Sequence, residues 1–342
     1  DRAGRAVAWC FVSGVVLGAP VVCLIGGAYV AELVGGGRSR TVLVAAVLLL
    51  VVVALTLGGA RTTTGAQLAL VAVLVVLVAL AVAGSAPHAR LANWHPFAPH
   101  GWSSIGSAAS VLMLSFVGWE AIAPLTARLR NPGRQLPRVI GAAFAVTSTV
   151  YLALSVATVA VLGPHAGGAV PLAALLRLAI GPLGTFVAAL AAIAITLAAT
   201  NAYLSGAGEL LAELREHRGA EPARAGRLQA GIAVTGMVLL AAVAAHLVST
   251  VQLVALPTTL FLTVYLGCTI SAAKILTGPA RVAAAASVLA VTVVLGFSGW
   301  ALLVAPAVVL ASVLAASAAR VRRVTGVTDS VASDCVRLGI RC

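Results

Sequence analysis

Runs of about 20 apolar residues recur along this sequence, and each is long enough to cross a hydrocarbon core roughly 30 Å thick. The runs are nearly continuous in Ala, Val and Leu, whereas the strands of a membrane barrel alternate apolar and polar residues. The chain is 61% hydrophobic and 9% charged, which is more apolar surface than a soluble domain buries. The sequence therefore predicts an all-α polytopic membrane protein.

Ten membrane-spanning helices are predicted within a transmembrane domain covering residues 1–323. The sixth is longer than a membrane requires, and we expect it to continue as a cytoplasmic helix. The polar tail 324–342 is expected to be disordered. The predicted spans are about 6–34, 42–59, 66–85, 104–127, 139–162, 178–208, 228–247, 252–273, 282–297 and 299–317.

The basic residues are distributed unequally between the two sides of these spans. One side carries sixteen of them: Arg2, Arg5, Arg61, Arg128, Arg130, Arg134, Arg138, Arg215, Arg218, Arg224, Arg227, Lys274, Arg281, Arg320, Arg322 and Arg323. The other side carries Arg38, Arg40, Arg90 and Arg177. The positive-inside rule places the first side, and with it both termini, in the cytoplasm. The same rule explains the net charge of +13 without nucleic-acid binding. The Arg- and Ala-rich composition, with Lys274 as the one lysine, favours a bacterial cell (inner) membrane.

A single carboxylate, Glu120, interrupts the apolar stretch MLSFVGWEAIAPL at residues 113–125. An ionisable group inside a membrane helix costs about 2.5–3.5 kcal/mol on insertion scales and usually marks a substrate or proton path. Pro124 removes the helical donor for the Glu120 carbonyl, and Gly118 weakens the helix before it. This pattern predicts a discontinuous helix of the kind that binds substrates in secondary transporters. The alternative is an ordinary proline kink with a packed glutamate.

Three stretches carry a family resemblance. SFVGWEAIAPLTARLRNPGRQLPRVI, at 115–140, resembles the sixth helix and following loop of the amino acid–polyamine–organocation (APC) permeases. NAYLSGAGELLAELREHRGAEP, at 201–222, resembles the end of their eighth helix and its cytoplasmic extension. The run TVYLGCTISAAKILTGPARVAAAASVLAVTVVLGFSGWALL resembles the last three helices of bacterial methionine and branched-chain amino acid exporters in that superfamily.

The resemblance implies a LeuT-type fold, with two inverted repeats of five helices followed by two further helices. Twelve helices are expected and about ten are present, so the first two are expected to precede Asp1. Full-length relatives bind the α-amino and α-carboxylate groups of the amino acid largely with their unwound first helix. This chain would lack those contacts.

The resemblance also assigns candidate roles to residues around the predicted helix break. It places Ser115, Phe116, Val117, Gly118 and Trp119 on the unwound segment, with backbone facing the substrate and Phe116 or Trp119 in an aromatic gate. Glu120 matches the acid that in some relatives links gating to proton or substrate binding. Gly118 and Pro124 form the predicted break.

Two further positions bear on the substrate. Leu114 stands where certain relatives have a gating Trp, and this departure argues against cationic substrates and favours aliphatic side chains. Asn201 matches a polar position in the eighth helix. An interhelical hydrogen bond explains Asn201 equally well.

The leading hypothesis is a secondary transporter, an exporter or exchanger, that moves small neutral amino acids across the bilayer by alternating access with H⁺ coupling. The alternative is a non-transporting membrane protein, an inactive remnant or an assembly partner, because the first two helices are absent. The sequence contains no GxSxG, HExxH or GxxxxGK[ST] motif and no paired intramembrane acids. We therefore predict neither an enzyme nor an ATP-driven pump, and no cofactor.

A longer loop, at 85–103, contains His88, His95 and His100 together with Trp94 and Trp102. Imidazoles bind metals and titrate near neutral pH, so a metal or pH-sensing role is one interpretation. The His spacing fits no metal-ligand pattern, and the Trp pair is typical of an interfacial belt. No metal site is predicted.

Overall fold

The computed structural model describes residues 2–60, 63–96, 101–119, 131–216 and 226–311, and their regular structure is helical. The α-helices are α1 Arg2–Leu33, α2 Arg38–Leu57, α3 Thr64–Ser85, α4 Ser103–Leu112, α5 Pro132–Ala157, α6 Pro171–Ile180, α7 Pro182–Glu216, α8 Gly226–Ala244, α9 Thr250–Ile275 and α10 Gly278–Gly296. Short 3₁₀ segments lie at Ala86–His88, Leu91–Trp94, Met113–Phe116, Gly163–His165 and Gly299–Leu303. A π turn, Thr158–Leu162, follows α5.

The prediction of an all-α polytopic membrane protein is confirmed. Within the described residues, eight helices are long and apolar enough to cross a membrane. They are Ala6–Leu33, Arg38–Leu57, Thr64–His88, Gly133–His165, Pro182–Ala212, Gly226–Ala244, Thr250–Ile275 and Gly278–Gly296. Three shorter apolar helices are Ser103–Phe116, Pro171–Ile180 and Gly299–Ala311.

Two of these shorter helices correspond to predicted spans that continue beyond the described residues. The predicted span 104–127 begins with Ser103–Phe116, and the predicted span 299–317 begins with Gly299–Ala311. The third, α6, was not predicted as a helix of its own, because its 10 residues are too few to cross a bilayer. Gly181 separates α6 from α7, which begins at Pro182.

The chain divides into two compact units, Asp1–Ser13 with Thr259–Cys342, and Gly14–Thr258. In the larger unit, α3, α5, α6 and α7 enclose an apolar core. Leu175 and Leu176 of α6 are completely buried there. The other buried members are Leu77, Val78, Ala81, Ala157, Leu172, Ala173 and Ala188.

Small residues bring helices of the larger unit close together. A Cβ added to Gly236 of α8 would overlap the side chain of Leu49 on α2. A Cβ on Gly84 of α3 would overlap Ala179 of α6. Membrane helices associate through such close packing, because lipid is as apolar as their side chains.

In the smaller unit, the first turns of α1 pack on the second half of α9. The rings of Phe11 and Phe261 meet edge to face, with centroids 5.9 Å apart. A Cβ on Gly267 would lie 2.9 Å from Val7. Ala301 and Ala305, which follow α10, are also buried.

The π turn after α5 receives the loop that follows α3. The Ala160 carbonyl accepts hydrogen bonds from the Arg90 backbone N–H at 2.9 Å and from the Asn93 side-chain amide at 2.8 Å. A π turn leaves a carbonyl out of the regular helical ladder, and turns of this kind often occur at functional positions. The loop is thereby joined to the end of α5.

Candidate functional site

Helix α4 loses its regular geometry within the stretch where the sequence predicts a break. It ends at Leu112 and continues as a 3₁₀ turn over Met113–Phe116. Val117 is extended, with φ −63° and ψ 125°, and Gly118 has φ +130°. Glycine is the residue that adopts such a positive φ readily, because it has no Cβ. The backbone therefore leaves the helical path at Val117 and Gly118.

This departure changes the partner of the Ser115 carbonyl. In a continuous α-helix, that carbonyl would accept a hydrogen bond from the backbone N–H four residues later. In the structure, the Tyr151 hydroxyl of α5 donates to it at 2.9 Å. The Phe116 ring meets the Tyr151 ring edge to face, with centroids 6.2 Å apart and planes at 87°. One tyrosine thus contacts the segment through both its hydroxyl and its ring.

A second tyrosine approaches the same segment from α7. A Cβ added to Gly118 would lie 3.0 Å from the Tyr203 hydroxyl, which is closer than such atoms normally pack. Gly118 is therefore restricted twice, by its backbone conformation and by its neighbour. We use "interrupted segment" for residues 115–118 from here on.

The remaining predicted positions are placed as follows. Ser115 and Phe116 are exposed, while Leu114, Val117 and Trp119 are half-buried. Glu120 and Pro124 lie outside the described residues, so the acid that drew attention to this helix has no described geometry.

Asn201 is 4% exposed and lies on α7 against the end of α2. Its amide nitrogen donates to the Ala60 carbonyl at 2.8 Å, and its amide oxygen lies 2.8 Å from the Thr56 hydroxyl. The Thr56 hydroxyl is also 2.8 Å from the Val52 carbonyl, so its single proton is shared between two acceptors. These contacts favour the interhelical hydrogen bond over a substrate ligand, and the substrate role of Asn201 stays a prediction.

The sequence model of the "Amino acid permease" family matches residues 2–316. The chain belongs to this family. The APC resemblance of the interrupted segment and its flanking loop is thus confirmed at the level of the family. The family membership gives no support to an enzymatic function, since the relatives are permeases and transporters.

Among the relatives of this amino acid permease is the "Uncharacterized amino acid permease YecA" of Bacillus subtilis. It is 31% identical over 332 residues, which cover 91% of this chain and 76% of YecA. Arabidopsis thaliana "Cationic amino acid transporter 9, chloroplastic" is 32% identical over 121 residues, covering 35% of this chain and 21% of that protein. "Branched-chain amino acid permease BcaP" of B. subtilis is 34% identical over 83 residues, covering 24% and 17% respectively.

The two tyrosines of this permease were not predicted as site residues. Each is an isolated tyrosine in an apolar span, Tyr151 in STVYLAL and Tyr203 in NAYLSG. Because a buried tyrosine hydroxyl usually finds a polar partner, such isolated tyrosines are a usable signal. The identity of the partner depends on how α4, α5 and α7 pack.

The described part of the histidine loop contains no candidate metal site. Among the residues that the structure describes, no group of three His, Cys, Asp or Glu side chains could hold one. His88 and His95 lie in the described part of this loop, and His100 lies outside it. The loop is attached to α5 through Arg90 and Asn93 instead.

Proposed function

We propose that this permease moves small neutral, aliphatic amino acids across the cell membrane by alternating access, as an exporter or exchanger coupled to H⁺. The interrupted segment carries the proposal. An apolar helix that unwinds inside a membrane protein frees backbone groups, and such freed groups bind substrates in secondary transporters. Gly118, at φ +130°, produces this interruption.

The residues around the interrupted segment support a neutral substrate. Leu114 is apolar and half-buried, and Tyr151 and Tyr203, which approach the segment, are uncharged. A cationic side chain would need an acid to pair with, and the described residues named here supply none. The name of the relative BcaP agrees with aliphatic side chains, and that of cationic transporter 9 points to the competing class.

The orientation is proposed from the charge distribution. Helices α2 and α8 run antiparallel. Arg38 lies 3.4 Å from the Val243 carbonyl at one end, and Gly226 lies near Leu57 at the other. Arg38 and Arg227 therefore stand at opposite ends of this pair. This agrees with a cytoplasmic location for the richer basic side, and with cytoplasmic termini.

Counterflow in proteoliposomes tests the substrate class. The purified chain is reconstituted, loaded with unlabelled leucine, methionine or arginine, and given the same amino acid with a radioactive label outside. We expect leucine and methionine to exchange well above empty vesicles, and arginine to remain at background. Exchange of arginine alone would assign the cationic class. No exchange of any substrate would favour the non-transporting alternative.

Glu120→Gln tests proton coupling. The amide keeps the size of the side chain but cannot bind and release a proton, so we expect transport that is abolished or no longer responds to an imposed pH gradient. The matched control is Glu32→Gln, which changes an exposed acid at the end of α1 and should behave as wild type. Wild-type transport by Glu120→Gln, with an unchanged pH profile, would leave Glu120 with a structural role only.

A further inference from the structure

The Ser115 carbonyl requires a hydrogen-bond donor wherever the helix is interrupted. A backbone carbonyl that has lost its helical bond needs another donor, and lipid or apolar side chains supply none. The Tyr151 hydroxyl supplies the donor, at 2.9 Å. The interrupted conformation is thus stabilised by a side chain from another helix.

The ring of Tyr151 is held in position for this bond. Phe116, the residue next to Ser115, packs edge to face against it, with planes at 87°. Edge-to-face aromatic pairs contribute about 0.5–1.5 kcal/mol beyond the area that they bury. The hydroxyl and the ring therefore act on two consecutive residues of the interrupted segment.

Helix α5 is joined to the core of the larger unit at its C-terminal end. Ala157, beyond Tyr151 on α5, belongs to the buried core with α3, α6 and α7. The π turn that follows is bonded through Ala160 to Arg90 and Asn93. These contacts fix the end of α5 that lies beyond Tyr151, and the Tyr151 side chain reaches the neighbouring segment that has lost its own helical bonds.

We propose that Tyr151 is a positioning residue, which keeps the interrupted segment open by donating its hydroxyl to the Ser115 carbonyl. Without that donor, the carbonyl regains a partner when the segment rewinds into helix, and the backbone groups at Val117 and Gly118 become less available to a substrate. The consequence for transport rests on the proposed function. The stabilisation of the segment by the Tyr151 hydrogen bond does not depend on that function.

Tyr151→Phe is the test, since it removes the hydroxyl and keeps the ring. Tyr151 is 39% exposed, so this substitution leaves no buried cavity. The matched control is Tyr29→Phe, which removes the hydroxyl of a half-buried tyrosine that packs against the core elsewhere in the same unit. Both variants are compared with wild type as the full reconstituted chain.

Hydrogen exchange of the peptide 113–119, measured by mass spectrometry, reports directly how strongly Tyr151 stabilises the interrupted segment. We expect Tyr151→Phe to slow its exchange by about threefold to tenfold, because the rewound segment protects its amides and interhelical hydrogen bonds in membranes have about this effect on an equilibrium. Tyr29→Phe should leave it within about twofold. Equal exchange in the two variants would overturn the proposal.

Leucine counterflow measures the effect of Tyr151 on transport. We expect the KM of Tyr151→Phe to rise about threefold to tenfold while the maximal rate changes less, since the binding-competent conformation is less populated. A wild-type KM together with altered exchange would overturn the positioning role in transport. If wild-type protein moves no amino acid, the proposed function fails, and hydrogen exchange still decides whether Tyr151 holds the segment.

Phe116→Leu separates the hydroxyl from the ring. It removes the aromatic contact and keeps the hydroxyl donor, so exchange of the peptide 113–119 should change less than in Tyr151→Phe. A larger change in exchange for Phe116→Leu than for Tyr151→Phe would assign the stabilisation to the ring contact and overturn the role of the hydrogen bond.

Discussion

Two regions of the molecule, the crossing of α2 with α8 and the interrupted segment, each depend on a glycine of their own. The physical reason differs between them. At the crossing, Gly236 lies in a regular helix, and its missing side chain makes room for Leu49. At the interrupted segment, Gly118 has φ +130°, and its backbone breaks the helix. Gly236 allows two helices to pack closely, and Gly118 allows the backbone to adopt a positive φ.

This difference shows how each region maintains its backbone hydrogen bonds. Around Gly236, the helices satisfy their own N–H and C=O groups, and stability depends on how closely the side chains fit. Around Gly118, part of that ladder is replaced by a tyrosine hydroxyl from α5. The same Gly→Ala substitution should therefore affect folding at the crossing and transport at the interrupted segment.

The largest effect is expected for Gly118→Ala. Alanine at φ +130° is strained by about 1–3 kcal/mol, and its Cβ would lie 3.0 Å from the Tyr203 hydroxyl. We expect the segment to relieve this strain by leaving the conformation with positive φ, so that the initial rate of leucine counterflow falls about tenfold or more while the thermal unfolding midpoint in detergent falls less than in Gly236→Ala. Gly231→Ala, which adds a Cβ in open space on α8, is the matched control. Normal transport by Gly118→Ala would remove the contrast between the two regions.

Gly236→Ala should show the opposite behaviour. The added methyl group overpacks the crossing against Leu49, and such changes typically cost about 1–3 kcal/mol of folding free energy. We expect a lower unfolding midpoint and lower yield, with an unchanged KM for leucine in the folded protein. Leu49→Ala in the same chain should relieve part of the cost, with a coupling energy of about 0.5–3 kcal/mol. Strict additivity of the two substitutions would contradict the contact.

Asn201→Ala is expected to give the smallest loss of stability. It tests whether Asn201 serves helix packing or the substrate site. It removes the bonds to Ala60 and Thr56, and interhelical hydrogen bonds in membranes average about 0.6 kcal/mol, up to about 1.7. Thr56→Val should lower the unfolding midpoint by a similar amount, and the double variant should be less destabilised than the sum. A large increase in leucine KM for Asn201→Ala alone would instead make Asn201 part of the substrate site.

The sequence was most informative where hydropathy alone determines the outcome. Long apolar runs such as 42–59 and 252–273 correspond to α2 and α9, because a bilayer requires a minimum length of apolar helix. Helix α6 was missed for the same reason, since its 10 residues lie buried against other helices and do not span the bilayer. Hydropathy detects crossings and gives little information about short packed helices.

The candidate site was only partly predictable. Gly118 was singled out because glycine weakens the helix two residues before an intramembrane acid, and the structure has a positive φ there. The bond from Tyr151 to Ser115 was not foreseen, because these residues are 36 positions apart in sequence and their contact depends on how α5 packs beside the interrupted segment. A single sequence contains the periodicity of each helix but not the alignment of one helix with another.

The π turn Thr158–Leu162 determines the direction in which the residues that follow α5 face. A π turn holds one residue more than an α-helical turn, so each side chain beyond it is rotated by roughly 100° from where an uninterrupted helix would put it. Removing one residue, such as Val159, would convert the turn to ordinary helix without altering Tyr151 or Ala160. The Ala160 carbonyl, which accepts the hydrogen bonds from Arg90 and Asn93, would then face a different direction relative to Tyr151. A one-residue deletion in this apolar stretch would thus be more disruptive than most substitutions there.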